Sequence, residues 1–157
     1  MARLDQTPKT VSIVDLSHDG RGVARWPEGH AHAGKTVFVS GALPGETVSV
    51  QQTARSRHFD EAKTLEVIAA SPDRVTPRCP HFGTCGGCVL QHLAEDRQIA
   101  YKQQVLLDNL QRIGHVAPAT VLPPLRGDSW GYRRKGRFSV RRVEKKDKTL
   151  VGFREQD

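Results

Sequence analysis

Three cysteines, Cys79, Cys85 and Cys88, are the residues of this 157-residue chain whose type and spacing best suit chemistry. They are all the cysteines that the chain has, and they follow one another as Cys-x5-Cys-x2-Cys. Three thiolates can meet at one inorganic centre only where the backbone bends tightly, which glycine permits at little steric cost. The loop has three glycines: Gly83, Gly86 and Gly87. The sequence therefore predicts a metal or cluster site here.

Two kinds of centre suit these ligands. An iron–sulfur cluster takes four cysteine thiolates, whereas a structural zinc ion takes four ligands drawn from Cys and His. His81 or His92 would complete a Cys3His zinc set. A disulfide framework is disfavoured because the number of cysteines is odd. The spacing alone leaves the cluster and the zinc ion as open alternatives.

The loop resembles the cluster loop of the bacterial 23S rRNA (uracil-5-)-methyltransferase family, whose members hold a [4Fe–4S] cluster. The resemblance rests on one run of residues, Cys79-x5-Cys85-Gly86-Gly87-Cys88-x2-Gln91-His92. It implies that the three cysteines are cluster ligands and that a fourth cysteine follows a Gly-Phe-Arg sequence. Here that sequence is Gly152-Phe153-Arg154 and the chain stops at Asp157, so we expect the fourth ligand beyond residue 157.

The positive charge of the chain lies near its C-terminal end. The formal net charge is +7, and residues 126–157 contribute +6 of it through eleven Lys/Arg and five Asp/Glu. This asymmetry predicts a binding site for a polyanion in that part of the chain. Hydrophobic residues make up 37% and aromatic residues 6%, which favours two small units over one large core.

No apolar run approaches the roughly 20 residues of a membrane span, and residues 1–7 lack the hydrophobic stretch of a signal peptide. With this use of cysteine, we expect a cytoplasmic protein without a membrane partner.

The first 70 residues have the pattern of a small β-barrel. Short stretches with alternating or β-branched residues are separated by glycine- and proline-containing turns, including Pro44-Gly45, which favours a type II turn. The predicted strands are residues 9–16, 23–26, 35–40, 47–53 and 61–68. Five short strands in about 60 residues favour a closed barrel of the OB type. The fold class that we expect is mainly β with one helix.

This barrel is similar to the TRAM domain, which occupies the N-terminus in the same methyltransferase family and is an RNA-binding barrel. Arg55 and Arg57 lie in the connection before the last predicted strand, and we expect them to contact RNA phosphates. A linker with two prolines follows the barrel. We therefore predict one domain over residues 1–70 and a second over residues 71–157.

The second domain should contain the cysteine loop, one helix and the start of an antiparallel β central domain. We predict the helix over residues 93–113, with Gly114 as its C-terminal cap. Apolar residues recur along it at near-helical spacing, so we expect one buried face. These residues are Ile99, Leu106, Leu110 and Ile113.

Residues 130–142 alternate as a strand that carries positive charge, and we call them the basic segment. Three arginines share one parity and are predicted to contact RNA: Arg133, Arg137 and Arg141. Three aromatic residues share the opposite parity: Trp130, Tyr132 and Phe138. Aromatic rings can stack on unpaired bases, but we expect at least one of the three to lie in the core. Residues 149–154 should form the partner strand.

Taken with the resemblance, these features predict the RNA-recognition and iron–sulfur portion of an S-adenosylmethionine-dependent methyltransferase that forms 5-methyluridine in ribosomal RNA. No glycine-rich nucleotide loop and no spare cysteine nucleophile occur in the chain. The catalytic and S-adenosylmethionine-binding residues are therefore expected beyond residue 157, and none is assigned here. No obligate protein partner is indicated. The alternative is a stand-alone RNA-binding module with a structural zinc site and no catalytic activity.

Overall fold

The protein is described here by a computed structural model that covers residues 4–156. The first three residues of the first predicted domain, and Asp157 at the end of the second, lie outside the described residues. The contacts divide the chain into two compact units, one ending at Thr76 and the other beginning at Pro77. The described residues are mostly β with a single α-helix, so the predicted fold class is confirmed. That the two units are separate domains stays a prediction.

The first unit is a curled sheet of six strands. They are β1 Lys9–Ser12, β2 Asp15–Leu16, β3 Gly22–Arg25, β4 Thr36–Ser40, β5 Thr47–Arg55 and β6 Phe59–Ala69. Their order in the sheet is β1-β5-β6-β4-β3-β2. Strands β4 and β6 pair in parallel, and the other neighbours pair antiparallel.

The two edge strands, β1 and β2, are consecutive pieces of one bent segment, so the sheet curls round and brings its two edges to the same segment. At the bend, the Ile13 N–H donates to the Glu46 carbonyl at 2.9 Å and the Val14 N–H donates to the Val23 carbonyl at 2.9 Å. A Cβ at Gly22 would lie 2.9 Å from the Ile13 side chain, so glycine permits the close approach there. The single strand predicted over residues 9–16 is thus two strands, because it must pair first with β5 and then with β3.

The core of the barrel is made of small and β-branched side chains that alternate with exposed ones along the strands. Its buried members are Val11, Ile13, Ala24, Trp26, Val37, Val39, Ala42, Val48, Val50 and Ala62. Valine dominates because a β-branched side chain packs well on a pleated surface. Trp26 is the largest of these side chains, and His30 stacks on its ring with centroids 4.3 Å apart.

Two carboxylates are fully buried in this small barrel, and each is surrounded by donors. Asp60 accepts hydrogen bonds from Trp26 Nε1 at 2.8 Å and from Lys35 Nζ at 2.5 Å. Burial alone would raise the pKa of Asp60, but these hydrogen bonds outweigh it and hold the pKa below its usual value. Asp60 therefore stays ionised, and it fixes the indole of the core tryptophan.

Glu46 plays the corresponding role where the barrel meets the segment that follows β6. Its carboxylate accepts hydrogen bonds from the backbone N–H groups of Leu43 at 2.8 Å and Ser71 at 3.2 Å. The guanidinium of Arg74 donates to both of its oxygens, at 2.5 and 2.8 Å. Residues 71–74, which the sequence assigned to a linker, are thereby held against the barrel.

The second unit begins with the turns of the cysteine loop and continues into the helix α1, Glu95–Arg112. After it come β7, Ser139–Val143, a 3-10 turn, Glu144–Lys146, and β8, Lys148–Gly152. The two strands form an antiparallel hairpin. No helix among residues 4–156 has the length and apolar character needed to cross a membrane.

The helix was predicted correctly as an element, but two details were wrong. It contains no buried residue: Leu106 and Ile113 are exposed, and Ile99 and Leu110 are only half-buried. Neither strand of this unit packs closely against the helix, so its periodic apolar residues stay accessible. At its C-terminal end the left-handed residue is His115, with φ of 53°, rather than Gly114.

Replacing Arg74 with methionine should destabilise the first unit, because it leaves the buried Glu46 carboxylate without its ionic partner. In a fragment of residues 1–76, which we expect to fold alone, Arg74→Met should lower the free energy of unfolding by about 3 kcal/mol. Arg25→Met, which removes an exposed arginine, should change it by less than about 0.5 kcal/mol. Urea unfolding followed by circular dichroism measures both values.

The difference in the free energy of unfolding between the wild-type fragment and Arg74→Met should depend on pH. Burial would raise the pKa of Glu46, but the hydrogen bonds from Arg74 and two backbone N–H groups hold it below its ordinary value of 4.5. The carboxylate therefore contributes stability above about pH 4.5, and the contribution is lost as the pH falls through the lower folded pKa. The gap between the wild-type fragment and Arg74→Met should narrow in acid. A gap that stays constant to pH 3 contradicts this account.

Candidate functional site: the cysteine loop and the basic segment

The cysteine loop is a series of tight turns. The N–H of Phe82 donates to the Cys79 carbonyl at 3.1 Å, and the N–H of Cys85 donates to the His81 carbonyl at 2.9 Å. Gly83 has φ of 85°, a conformation that other residues rarely adopt. All three cysteines are half-buried free thiols. The loop therefore holds its sulfur atoms near the surface on a backbone that is internally hydrogen-bonded.

Gln91 connects the first and last cysteines of the motif. Its side-chain oxygen accepts the backbone N–H of Cys79 at 3.1 Å, and its side-chain nitrogen donates to the Cys88 sulfur at 2.8 Å. The N–H of Gly87 points at the Cys85 sulfur from 3.4 Å. His92 is buried, with its ring 5.1 Å from that of Phe82. Gln91 therefore ties the two ends of the motif together through its side-chain amide.

Residues 153–156 pass beside the cysteine loop, which the sequence did not predict. Gly86 donates its N–H to the Arg154 carbonyl at 2.8 Å, and Gln156 donates its N–H to the Thr84 carbonyl at 2.8 Å. A Cβ at Gly86 would lie 2.9 Å from the Arg154 oxygen, and one at Gly87 would lie 3.2 Å from the Phe153 ring. Two of the loop glycines are therefore needed for close packing against this segment.

The donor types of the loop suit an iron–sulfur cluster, but the geometry is not that of a closed site. Three thiols come from one loop, and N–H groups approach two of the sulfurs, which is how proteins tune such clusters. Yet within residues 4–156 no three side chains of His, Cys, Asp or Glu are grouped as metal ligands. The loop supplies three sulfur ligands of the right chemistry, and it does not bring them together around one point.

The basic segment differs from its prediction as one continuous strand. Only residues 139–142 belong to β7, while residues 130–138 have no regular structure. Strand β7 has only five residues because β8 pairs with it at only five positions. Arg141 therefore lies on the hairpin, whereas Arg133 and Arg137 precede it, so the three predicted RNA contacts do not share one strand face.

The three aromatic residues of this segment are all exposed, so the expectation that one lies in the core was wrong. Trp130 is 50% exposed, Tyr132 63% and Phe138 56%. The guanidinium of Arg78 lies 4.8 Å from the Trp130 ring centre, and Phe138 packs on Phe153 with centroids 5.1 Å apart.

The predicted RNA-contacting arginines are available for an anion. In the described part of the chain, the exposed side chains of Arg137 and Arg141 make no hydrogen bond or ion pair, and Arg133 lies 5.7 Å from the Tyr132 ring centre. Arg55 at the end of β5 and Arg57 in the following loop are likewise exposed. Neighbouring Arg142 differs, because it pairs with Asp147 and, at 3.8 Å, with Glu144.

Comparison with known proteins identifies the barrel first. Residues 7–63 match the family model of the TRAM domain, so the first unit contains a TRAM domain.

Relatives match the chain over nearly its whole length. It is 75% identical over 156 residues to the 23S rRNA (uracil(1939)-C(5))-methyltransferase RlmD of Stenotrophomonas maltophilia strain R551-3, and 72% identical over 155 residues to that of Xanthomonas euvesicatoria. Each alignment covers 99% of this chain and 34% of the relative. The resemblance seen in the sequence is therefore confirmed: over 99% of its length the chain is similar to 23S rRNA (uracil-C5)-methyltransferases, and it spans about a third of the length of these relatives.

A solved structure, the tRNA (uracil-54, C5)-methyltransferase of Pyrococcus abyssi in complex with S-adenosyl-L-homocysteine, is 26% identical to part of the chain. The match covers 67% of this chain and 21% of that one, with a TM-score of 0.42. A score at this level does not establish a common fold.

Proposed function

We propose that this chain is the RNA-recognition and iron–sulfur portion of an S-adenosylmethionine-dependent methyltransferase that forms 5-methyluridine in 23S rRNA. The observation that carries the proposal is the 75% identity over 99% of the chain to a 23S rRNA (uracil-C5)-methyltransferase. The TRAM match over residues 7–63 supports a part that handles RNA. A cytoplasmic location belongs to the same proposal, with ribosomal RNA as the partner.

Within this proposal the chain binds and positions RNA, and it does not carry out the methyl transfer. Its exposed arginines at the barrel loop and the basic segment are suited to phosphate contacts, which fix register without reading sequence. A target base must leave its stack to be modified, and exposed aromatic rings nearby are suited to holding unpaired bases. S-Adenosylmethionine would supply the methyl group from a site that we assign to no residue of this chain.

The cluster proposal names three ligands, Cys79, Cys85 and Cys88, with the fourth thiolate contributed from beyond residue 157. Two observations support it: amide groups already donate to two of the sulfurs, and residues 154–156 pair with the loop. The segment thus ends, at Gln156, beside two of the three cysteines, Cys85 and Cys88. A ligand just downstream would need only a short connection to reach them.

The first test is activity. The full-length protein, incubated with unmodified 23S rRNA and S-adenosylmethionine, should produce 5-methyluridine that nucleoside mass spectrometry detects. The reaction without the methyl donor is the control. Absence of 5-methyluridine, in a preparation that binds the RNA, would favour the alternative of a binding module without catalysis.

The second test is metal content. Full-length protein purified without oxygen should contain iron and acid-labile sulfide, because thiolates are the soft ligands that such clusters require. Cys88→Ser should lose nearly all of this iron, whereas Thr84→Ser, a conservative change in the same loop, should retain it. Stoichiometric zinc without iron would contradict the cluster and support the structural zinc site.

The third test concerns the arginines. Binding of RNA should weaken as salt rises, because phosphate contacts release counterions. Replacing Arg133, Arg137 and Arg141 with alanine should lower the slope of log affinity against log salt by roughly one unit per lost contact. Replacing Arg55 and Arg57 should lower it by up to about two units.

Fluorescence anisotropy on one RNA over a range of salt concentrations measures these slopes. The matched control replaces Lys102 and Arg112, two charges on α1, and should leave the slope nearly unchanged. If only the barrel pair alters the slope, the basic segment is a solvated surface and its three arginines are not RNA contacts.

A further inference from the structure

The outer surface of the barrel carries a cluster of two phenylalanine rings. Phe38 lies on β4, where its neighbours across the sheet are Val23 on β3 and Glu61 on β6. Phe59 begins β6, and its ring meets that of Phe38 edge to face, with centroids 5.2 Å apart. Both side chains are half-buried and belong to the sheet face opposite the core. Exposed aromatic surface on this face contributes nothing to the packing of the barrel interior.

Arg21 covers the Phe38 ring of this pair. Its guanidinium carbon lies 4.8 Å from the Phe38 ring centre. Asp19 holds one edge of the guanidinium at 2.7 Å, and Glu61 holds another at 3.1 Å. The Arg21 side chain remains 28% exposed. A planar group is thus fixed on the surface before any ligand arrives, so little side-chain freedom would be lost on binding.

The charge balance indicates which part of a nucleic acid would fit. Two carboxylates beside one guanidinium leave this spot without the positive charge that a phosphate needs. An uncharged base is suited to it, because bases stack on guanidinium planes and on aromatic rings. Asp19 and Glu61 are each about two-fifths exposed, so they can accept hydrogen bonds from the N–H groups of a base.

Two arginines near the phenylalanine pair carry the positive charge that the pair and its two carboxylates lack. The loop that carries Arg57 leads directly into Phe59, and Arg55 ends the strand before it. In OB-type barrels, oligonucleotides bind on the face of the second and third strands between the first and fourth loops. Because residues 9–16 form the first barrel strand, β3 and β4 are the second and third here. The loops are residues 17–21 and 56–58.

We infer that Arg21, Phe38 and Phe59, here named the stacking face, bind an unpaired base of single-stranded RNA. This inference rests on the proposed RNA-binding function and adds to it the face, the residues and the chemical group recognised. The phosphates flanking that base lie toward Arg55 and Arg57. The competing explanation is that these three side chains only hold the turn at residues 17–21 against the sheet. It predicts that their replacement does not change the preference for intact over abasic RNA.

The test uses the 157-residue chain and two RNA oligonucleotides of equal length, one intact and one with its central bases removed. Wild-type protein should bind the intact RNA about tenfold more tightly than the abasic one, as stacking of a single base implies. Phe38→Leu and Arg21→Gln should each lose most of this preference while the salt dependence stays unchanged. Arg25→Gln, an equal charge change on β3 at a residue that donates only to the Gly34 carbonyl, is the control.

Each outcome decides between the two ideas. If Phe38→Leu and Arg21→Gln keep the preference for intact RNA, the stacking face does not bind the base, but the proposed RNA-binding function is not contradicted. If the two variants weaken binding to both RNAs equally, the stacking face has only a structural role and the inference is likewise overturned. If the wild-type chain binds neither RNA at low salt, the proposed RNA-binding function fails as well. Circular dichroism checks folding, and Arg21→Gln decides alone should Phe38→Leu unfold.

Discussion

The hydrogen bonds around the Glu46 carboxylate are the constraint on which the first unit depends. A charge removed from water is tolerated only when its oxygens are fully satisfied. Here the donors come from three places: the turn before β5, the backbone at Ser71 and the guanidinium of Arg74. These segments must arrive together or leave an uncompensated charge. The barrel is therefore complete only when the chain has passed Arg74, beyond the last strand.

The strands of this barrel were predictable because their signals are local. Alternating β-branched residues mark four of the five predicted strands within a few residues, and Gly45, with φ of 82°, matches the predicted Pro-Gly turn. The bend at Ile13 and the partners of Glu46 and Asp60 were not predictable. Apart from the local bonds of Leu43 to Glu46 and of Val14 to Val23, these contacts join residues 25 to 34 positions apart, and hydrophobic periodicity carries no information on such pairings.

In the second unit the sequence predicted the motif but not the contacts between segments. The cysteine motif names the three residues of the proposed cluster, and the relatives confirm the resemblance to the methyltransferases, but spacing did not predict that residues 153–156 pair with the loop. Alternation predicted a strand through residues 130–138, where none forms. A strand needs a hydrogen-bonded partner as well as a pattern, and β8 supplies only five positions. The exposed stripe of α1 has the same origin, because a periodic face becomes buried only when another element covers it.

The curled sheet of the first unit and the hairpin of the second differ in how much strand edge they expose. In the first unit the two edge strands are short, four residues for β1 and two for β2, so they offer little template for another strand. The hairpin of β7 and β8 has two free edges and exposes Val140, Leu150 and Val151. Lysine and arginine along such edges oppose strand addition by charge repulsion. The same positive charges that suit a polyanion thus protect the hairpin from aggregation, and neutralising them would expose it to strand addition.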